Sequence, residues 1–141
     1  MLSRVLALTA ALLSLPFLLG CQKKTAIWLI RGTTVDHLQF GLSREVGDSV
    51  RIPVGFLRVG ICAGPDYGIV PPHWVLLRTD PSASVINRVT YGVEPLGYTS
   101  DSKPRSLTPG CYHVFADGGR LQFEVDHRQR VYAQPFAWKV K

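Results

Sequence analysis

Apolar and polar residues alternate with a period of two along much of the chain, the pattern of strands that bury one face. Leu38, Phe40 and Leu42 alternate with His37, Gln39 and Gly41. Val50, Ile52 and Val54 do the same, and then the phase slips by one residue to Leu57, Val59 and Ile61. A slip beside Gly55 predicts a bulge or bend, and Pro53 predicts a sheet edge. Val89, Tyr91 and Val93 form another alternating run, and Leu121, Phe123 and Val125 the cleanest one. Ala26 to Ile30, Trp74 to Leu77 and Val131 to Ala133 are shorter apolar runs that also read as strands. Asp117-Gly118-Gly119 predicts a hairpin. Residues 63–68 and Pro71-Pro72 predict a long irregular connection, and Thr99 to Pro104 an exposed loop. No stretch carries apolar residues at i, i+3, i+4 and i+7 over three turns, so the expected class is all-β.

Composition narrows this picture. Thirteen Gly and ten Pro in 141 residues suit many short elements joined by turns and argue against a helix bundle. Hydrophobic residues at 46% against 18% charged exclude a disordered chain, and the length suits one core. Seven or eight short strands in that length predict a two-sheet antiparallel sandwich. Leu107-Thr108-Pro109-Gly110-Cys111-Tyr112 then resembles the L-x-P-G-x-Y corner of fibronectin type III and related immunoglobulin-like domains. The resemblance implies an immunoglobulin-like sandwich of about seven strands, with the Tyr112 hydroxyl folded back onto the corner's backbone. Either Trp28 or Trp74 would serve as its core tryptophan.

The amino terminus follows another pattern. Arg4 precedes Val5 to Leu19, fifteen residues without a charge and with Pro16 inside. A membrane-spanning helix needs roughly 20 apolar residues, so the run reads as a helical secretory signal. Leu18-Leu19-Gly20-Cys21 resembles the lipobox of bacterial lipoproteins. That resemblance implies removal of residues 1–20, lipid on Cys21, a tether over 21–25 and a sandwich domain over 26–141. Gln22, where Asp commonly signals inner-membrane retention in that family, implies the outer membrane. The protein would sit in the cell envelope, held by its lipid and facing the periplasm or the cell surface. Loss of Arg4 with the signal takes the formal net charge from +6 to +5.

With Cys21 lipidated, Cys62 and Cys111 remain, and an even pair in an oxidising compartment predicts a disulfide. Metal ligation and two free thiols are the alternatives; neither CxxC nor a familiar cysteine–histidine spacing supports zinc. The basic residues are scattered, with no run of five or six and no interleaved aromatic platform, so nucleic acid is not an expected partner.

Catalytic signals are sparse. No G-x-S-x-G elbow, phosphate loop or HExxH occurs. His37, His73, His113 and His127 form no metal-ligand spacing, and Glu45, Asp48, Glu94, Glu124 and Asp126 read as turn or outward strand positions. Tyr67 and Tyr98, in loop-rich segments, are the candidate binding residues, within 63–73 and 94–106. Phe136 and Trp138 in the tail offer an aromatic patch or a further edge strand. Two readings follow. The first is a non-enzymatic binding or assembly lipoprotein without cofactor or metal, whose partner beyond the membrane is an envelope protein or glycan. The second is a small envelope hydrolase or metal-binding protein that uses the histidines.

Overall fold

Most alternating apolar residues that fall in strands turn inward and close one core, Ile61 being an exposed exception. The computed structural model describes residues 24–62, 71–82 and 84–134. Nine strands run in chain order: β1 (Ala26–Leu29), β2 (Gln39–Ser43), β3 (Phe56–Ile61), β4 (Trp74–Arg78), β5 (Arg88–Thr90), β6 (Tyr98–Ser100), β7 (Gly110–Ala116), β8 (Gly119–Val125) and β9 (Val131–Gln134). One sheet has the order β1-β2-β5 and the other β6-β4-β3-β7-β8-β9. Every pairing is antiparallel. The described residues contain no helix. The fold is the expected all-β, two-sheet antiparallel sandwich, with nine strands instead of about seven. The segment expected to be a helical signal lies outside the described residues, as do Cys21, Tyr67, Phe136 and Trp138.

The sheets pack face to face through their inward residues. Phe40 of β2 meets Phe123 of β8 with ring centroids 5.7 Å apart, and Phe123 stacks on Tyr112 of β7 at 5.4 Å. Trp74 is the core tryptophan: it is fully buried, its ring meets Tyr91 edge-on at 5.3 Å, and its Nε1 donates to Ser100 Oγ. Trp28 is only half-buried and pairs across strands with Gly41. A Cβ at Gly41 would lie 2.2 Å from the Trp28 ring, so the indole covers bare backbone there.

Local chemistry sets the turns. Ala116 pairs with Gly119, leaving Asp117-Gly118 as a two-residue loop. Both residues have positive φ, 38° and 79°, as a type I′ turn requires. The Asp117 carboxylate accepts from Gly55 N at 2.7 Å and ties this hairpin to the bend before β3.

Three expectations about strands are corrected. Residues 50–54 do not form a strand: Ile52 and Val54 are buried as the alternation requires, but Ile52 makes only an isolated bridge to Ile86. Pro53 has no N–H to donate to a ladder. The Val89–Val93 run ends at Thr90, because Gly92, at φ 80°, turns the chain and leaves Val93 exposed. The loop expected from Thr99 begins as β6, an edge strand paired with β4.

Candidate functional site

The register gives the sandwich two distinct ends. At one, Phe56 pairs with Leu77 and Ala116 with Gly119; this is the hairpin end. At the other, Val59 pairs with Trp74 and Gly110 with Val125. Thr25, which leads into β1, lies at the hairpin end. A Cβ on Gly119 would lie 2.0 Å from the Thr25 carbonyl oxygen, so the incoming backbone crosses in contact with this glycine. Beside it is a cleft of about 290 Å³ whose walls include Phe56, Arg58, Phe115 and Arg120. The Arg120 guanidinium stands 5.0 Å from the centre of the Phe115 ring.

The first loop singled out in the sequence attaches to the opposite end, whereas the second starts at the hairpin end, where Thr79 N and Asp80 N donate to Gly97 O, and reaches the opposite end at Arg105. The stems of the first are Ile61–Cys62 and Pro71–His73. In the second, Arg105 N donates to His73 O, and Tyr91 Oη donates to Arg105 O at 2.6 Å. Burial, ahead of the neighbouring Tyr112, pushes the Tyr91 hydroxyl up to about 12, so it stays a donor. An open cleft of about 650 Å³ lies along this loop, walled by Gly92, Val93, Glu94, Ser100 and Lys103 among others. Glu94 Oε1 accepts from Ser100 N at 2.8 Å, so this carboxylate clips the loop.

Two tyrosines act as pins. Tyr112 Oη donates to Thr108 O at 2.7 Å and accepts from Thr108 N at 3.0 Å, folding back over Pro109-Gly110. Tyr98, expected as an exposed contact residue, is buried instead. Its hydroxyl donates to Val54 O at 2.6 Å and accepts from Val54 N at 3.3 Å. Gly97, at φ 83°, turns the chain so that the first residue of β6 points inward. Tyr98→Phe removes the partner of two buried backbone groups, which costs about 1–3 kcal/mol. A urea titration should show a lower midpoint at unchanged slope; an unchanged midpoint would refute the pin.

The histidines disperse. His37 and His127 are exposed, His73 precedes β4, and His113 lies on β7. His73 stacks edge-on against Tyr112 at 5.4 Å, and its Nδ1 is buried without a hydrogen-bond partner. Burial, with Arg105 nearby, holds its imidazole below the ordinary histidine range. The neutral form is therefore favoured in the fold. The resulting stability is fully present above the unfolded value of about 6.5 and is lost as pH falls toward the lower folded value. The thermal midpoint should decline as pH drops below about 6.5, and His73→Gln should flatten that decline.

A connected polar group lies on the outward face of the larger sheet. Cys62 and Cys111 form a disulfide with a Cα–Cα distance of 5.3 Å, and Cys62 N donates to Cys111 O at 3.0 Å. His113 follows two residues on, and two positions along a strand share one face. Across the ladder His113 pairs with Gln122 and Cys111 with Glu124; on the next strand Gln134 pairs with Gln122. A chain of amides joins these side chains. Gln134 Nε2 donates to the Glu124 carboxylate, Gln122 Nε2 donates to Gln134 Oε1 at 2.7 Å, and Gln122 Oε1 lies 3.3 Å from His113 Nε2. A carboxylate only accepts, so the chain has a direction. It presents an oxygen to His113, which must carry its proton on Nε2.

One ring nitrogen of His113 and the two sulfurs lie within 4.8 Å of one another, the single three-residue group of this kind among the described residues. Cys111-x-His113 matches no helix or knuckle spacing and so gives no zinc signal in the sequence, although on a strand that spacing places both residues on one face. Comparison with protein-family models, with curated proteins and with solved structures finds no match to this chain.

Proposed function

We propose that the chain is an envelope lipoprotein whose sandwich is a non-enzymatic binding or assembly module. Residues 1–20 are its signal, Cys21 carries the lipid, and the anchor lies in the outer membrane. The observation that carries this reading is Leu18-Leu19-Gly20-Cys21 behind a charge-free apolar run. Several acyl chains on one residue suffice for stable anchoring.

On this reading the tether would leave the membrane near one end of the sandwich. Thr25 packs against Gly119 at the hairpin end, and the four residues from Cys21 to Thr25 can span at most about 14 Å. The hairpin end, with Arg58 and Arg120, therefore lies close to the anionic head groups. The loop stems at 62 and 71–73 and the 92–104 cleft point away from the membrane, where a protein or glycan has access. The disulfide fits an exported compartment.

Mass spectrometry of the membrane fraction tests the anchor. The expected species starts at Cys21 and carries diacylglycerol and an amide-linked acyl chain, and Cys21→Ala should abolish the lipid and shift the protein to the soluble fraction. A chain that retains Met1 in the membrane without fatty acid refutes the reading. Capture from solubilised envelopes tests the binding role. Wild type should retain a partner that substitutions at Lys103 and Ser102 lose; no partner with either protein would refute it.

A further inference from the structure

We propose that Cys62, Cys111 and His113 form a redox-gated site for one zinc ion, closed while the disulfide stands and opened when a dithiol reduces it. This inference rests on the outward face of the larger sheet and stands independently of the lipid anchor.

Two thiolates and one imidazole are a recognised zinc donor set that leaves a fourth position for water. Tetrahedral bonding requires sulfurs about 3.8 Å apart and sulfur–nitrogen separations of about 3.6 Å. The three ligand atoms already lie within 4.8 Å of one another. Cys62 and Cys111 are held by a backbone hydrogen bond on adjacent strands, and His113 is fixed on the same face of β7. Rotation about the cysteine Cα–Cβ bonds supplies the remaining adjustment, so the backbone need not move.

The surroundings match what metal-binding histidines require. Such a histidine usually donates its second N–H to a carbonyl or carboxylate, which fixes the tautomer and orients the ring. The Glu124–Gln134–Gln122 relay does this: it keeps the proton on Nε2 and assigns Nδ1 as the ligand atom. On the neighbouring strand Gly60 pairs with His113 and brings no side chain to crowd it.

The opening step balances. A thiolate of the donor dithiol attacks one cysteine sulfur, breaks the Cys62–Cys111 bond and forms a mixed disulfide. The donor's second thiolate attacks its own bound sulfur and leaves as an oxidised disulfide. Two electrons have then passed to the protein. Zinc binds both cysteine sulfurs as thiolates, and any thiol protons go to solvent. Both cysteines and His113 are half-buried, so a reductant can reach them.

Cobalt(II) is the spectroscopic probe, added to the full chain in detergent micelles after phosphine reduction and desalting. The reduced protein should bind one equivalent, with thiolate-to-cobalt charge transfer and the visible bands of a tetrahedral ion, and zinc should displace it. The oxidised protein should give neither signal. His113→Ala should weaken cobalt binding at least tenfold, and Gln122→Leu, which removes only the relay's contact, several-fold. Circular dichroism and thermal melts accompany each sample: zinc should raise the midpoint of the reduced wild type but not that of His113→Ala. Reduced protein without a stoichiometric cobalt band overturns the proposal. So does equal affinity in His113→Ala, and so does a reduced chain that loses its fold and is not restored by metal. None of these outcomes bears on lipidation, which mass spectrometry reads separately.

Discussion

Trp74→Ala should cost about 3–5 kcal/mol, close to the whole stability of many domains of this size. Trp74 is fully buried on the central part of the larger sheet, next to β3 and β6. Truncation removes the indole's apolar surface and leaves a cavity that rigid sheets on both sides cannot collapse into. It also removes the edge-on contact with Tyr91 and the Nε1 hydrogen bond to Ser100, which holds the edge strand β6. The same strand carries Tyr98, so the loss should spread to the 52–55 segment that Tyr98 pins. In urea the midpoint should fall sharply, and the thermal midpoint by roughly 10–20 °C. Trp28→Ala is the matched control. Its ring is half-buried on the outside of the smaller sheet over Gly41, so its truncation opens no internal cavity and should cost clearly less. Equal losses at the two positions would mean that the core is not where this fold puts it.

The two tryptophans also mark what a sequence can and cannot disclose. Both lie in short apolar runs, and periodicity alone does not choose between them. The choice depends on which strand has neighbours on both sides, and β4 does while β1 does not. Where neighbours matter less, local pattern suffices. Leu121, Phe123 and Val125 lie on β8, and Asp117-Gly118 makes a turn whose backbone only such residues adopt readily. The failures have the same logic in reverse. Ile52 and Val54 alternate in burial without a ladder while Val50 is exposed, because alternation reports which face is wet and Pro53 governs hydrogen bonding. β6 contains three residues, too few for a period, and only Tyr98 is buried. For Tyr98 the preceding turn residues suggest exposure, whereas Gly97 redirects it into the core. The outward group of Cys62, Cys111, His113, Gln122, Glu124 and Gln134 was largely illegible. It requires β3, β7, β8 and β9 side by side, and only Cys111-x-His113 is local.

Removing the disulfide by Cys62→Ala and Cys111→Ala together should destabilise the domain by about 4 kcal/mol, the chain-entropy value for a closed loop of this size. The bonded residues are 49 apart in sequence, and β4, β5 and β6 all lie between them. In the folded state the covalent link is nearly redundant: β3 and β7 are already paired from Leu57–Ala116 to Ile61–Tyr112, and Cys62 N still donates to Cys111 O. The stabilisation must therefore come chiefly from restricting the unfolded chain. This gives a kinetic signature. Pairing β3 with β7 is a long-range step in building the larger sheet, and long-range pairing must overcome loop-closure entropy before contacts repay it. The bond closes that loop in advance. The double variant should fold more slowly by a large factor while its unfolding rate changes little, as stopped-flow dilution into and out of urea would show. A loss appearing mainly as faster unfolding would instead locate the effect in the native sheet. The same variant separates this covalent role from the proposed metal role. Zinc should raise the midpoint of reduced wild type, where His113 and two sulfurs remain to re-close the loop, and should leave the double variant unmoved. A zinc ion held by both sulfurs links the same two strands as the bond it replaces, so recovery of the folding rate would accompany recovery of stability.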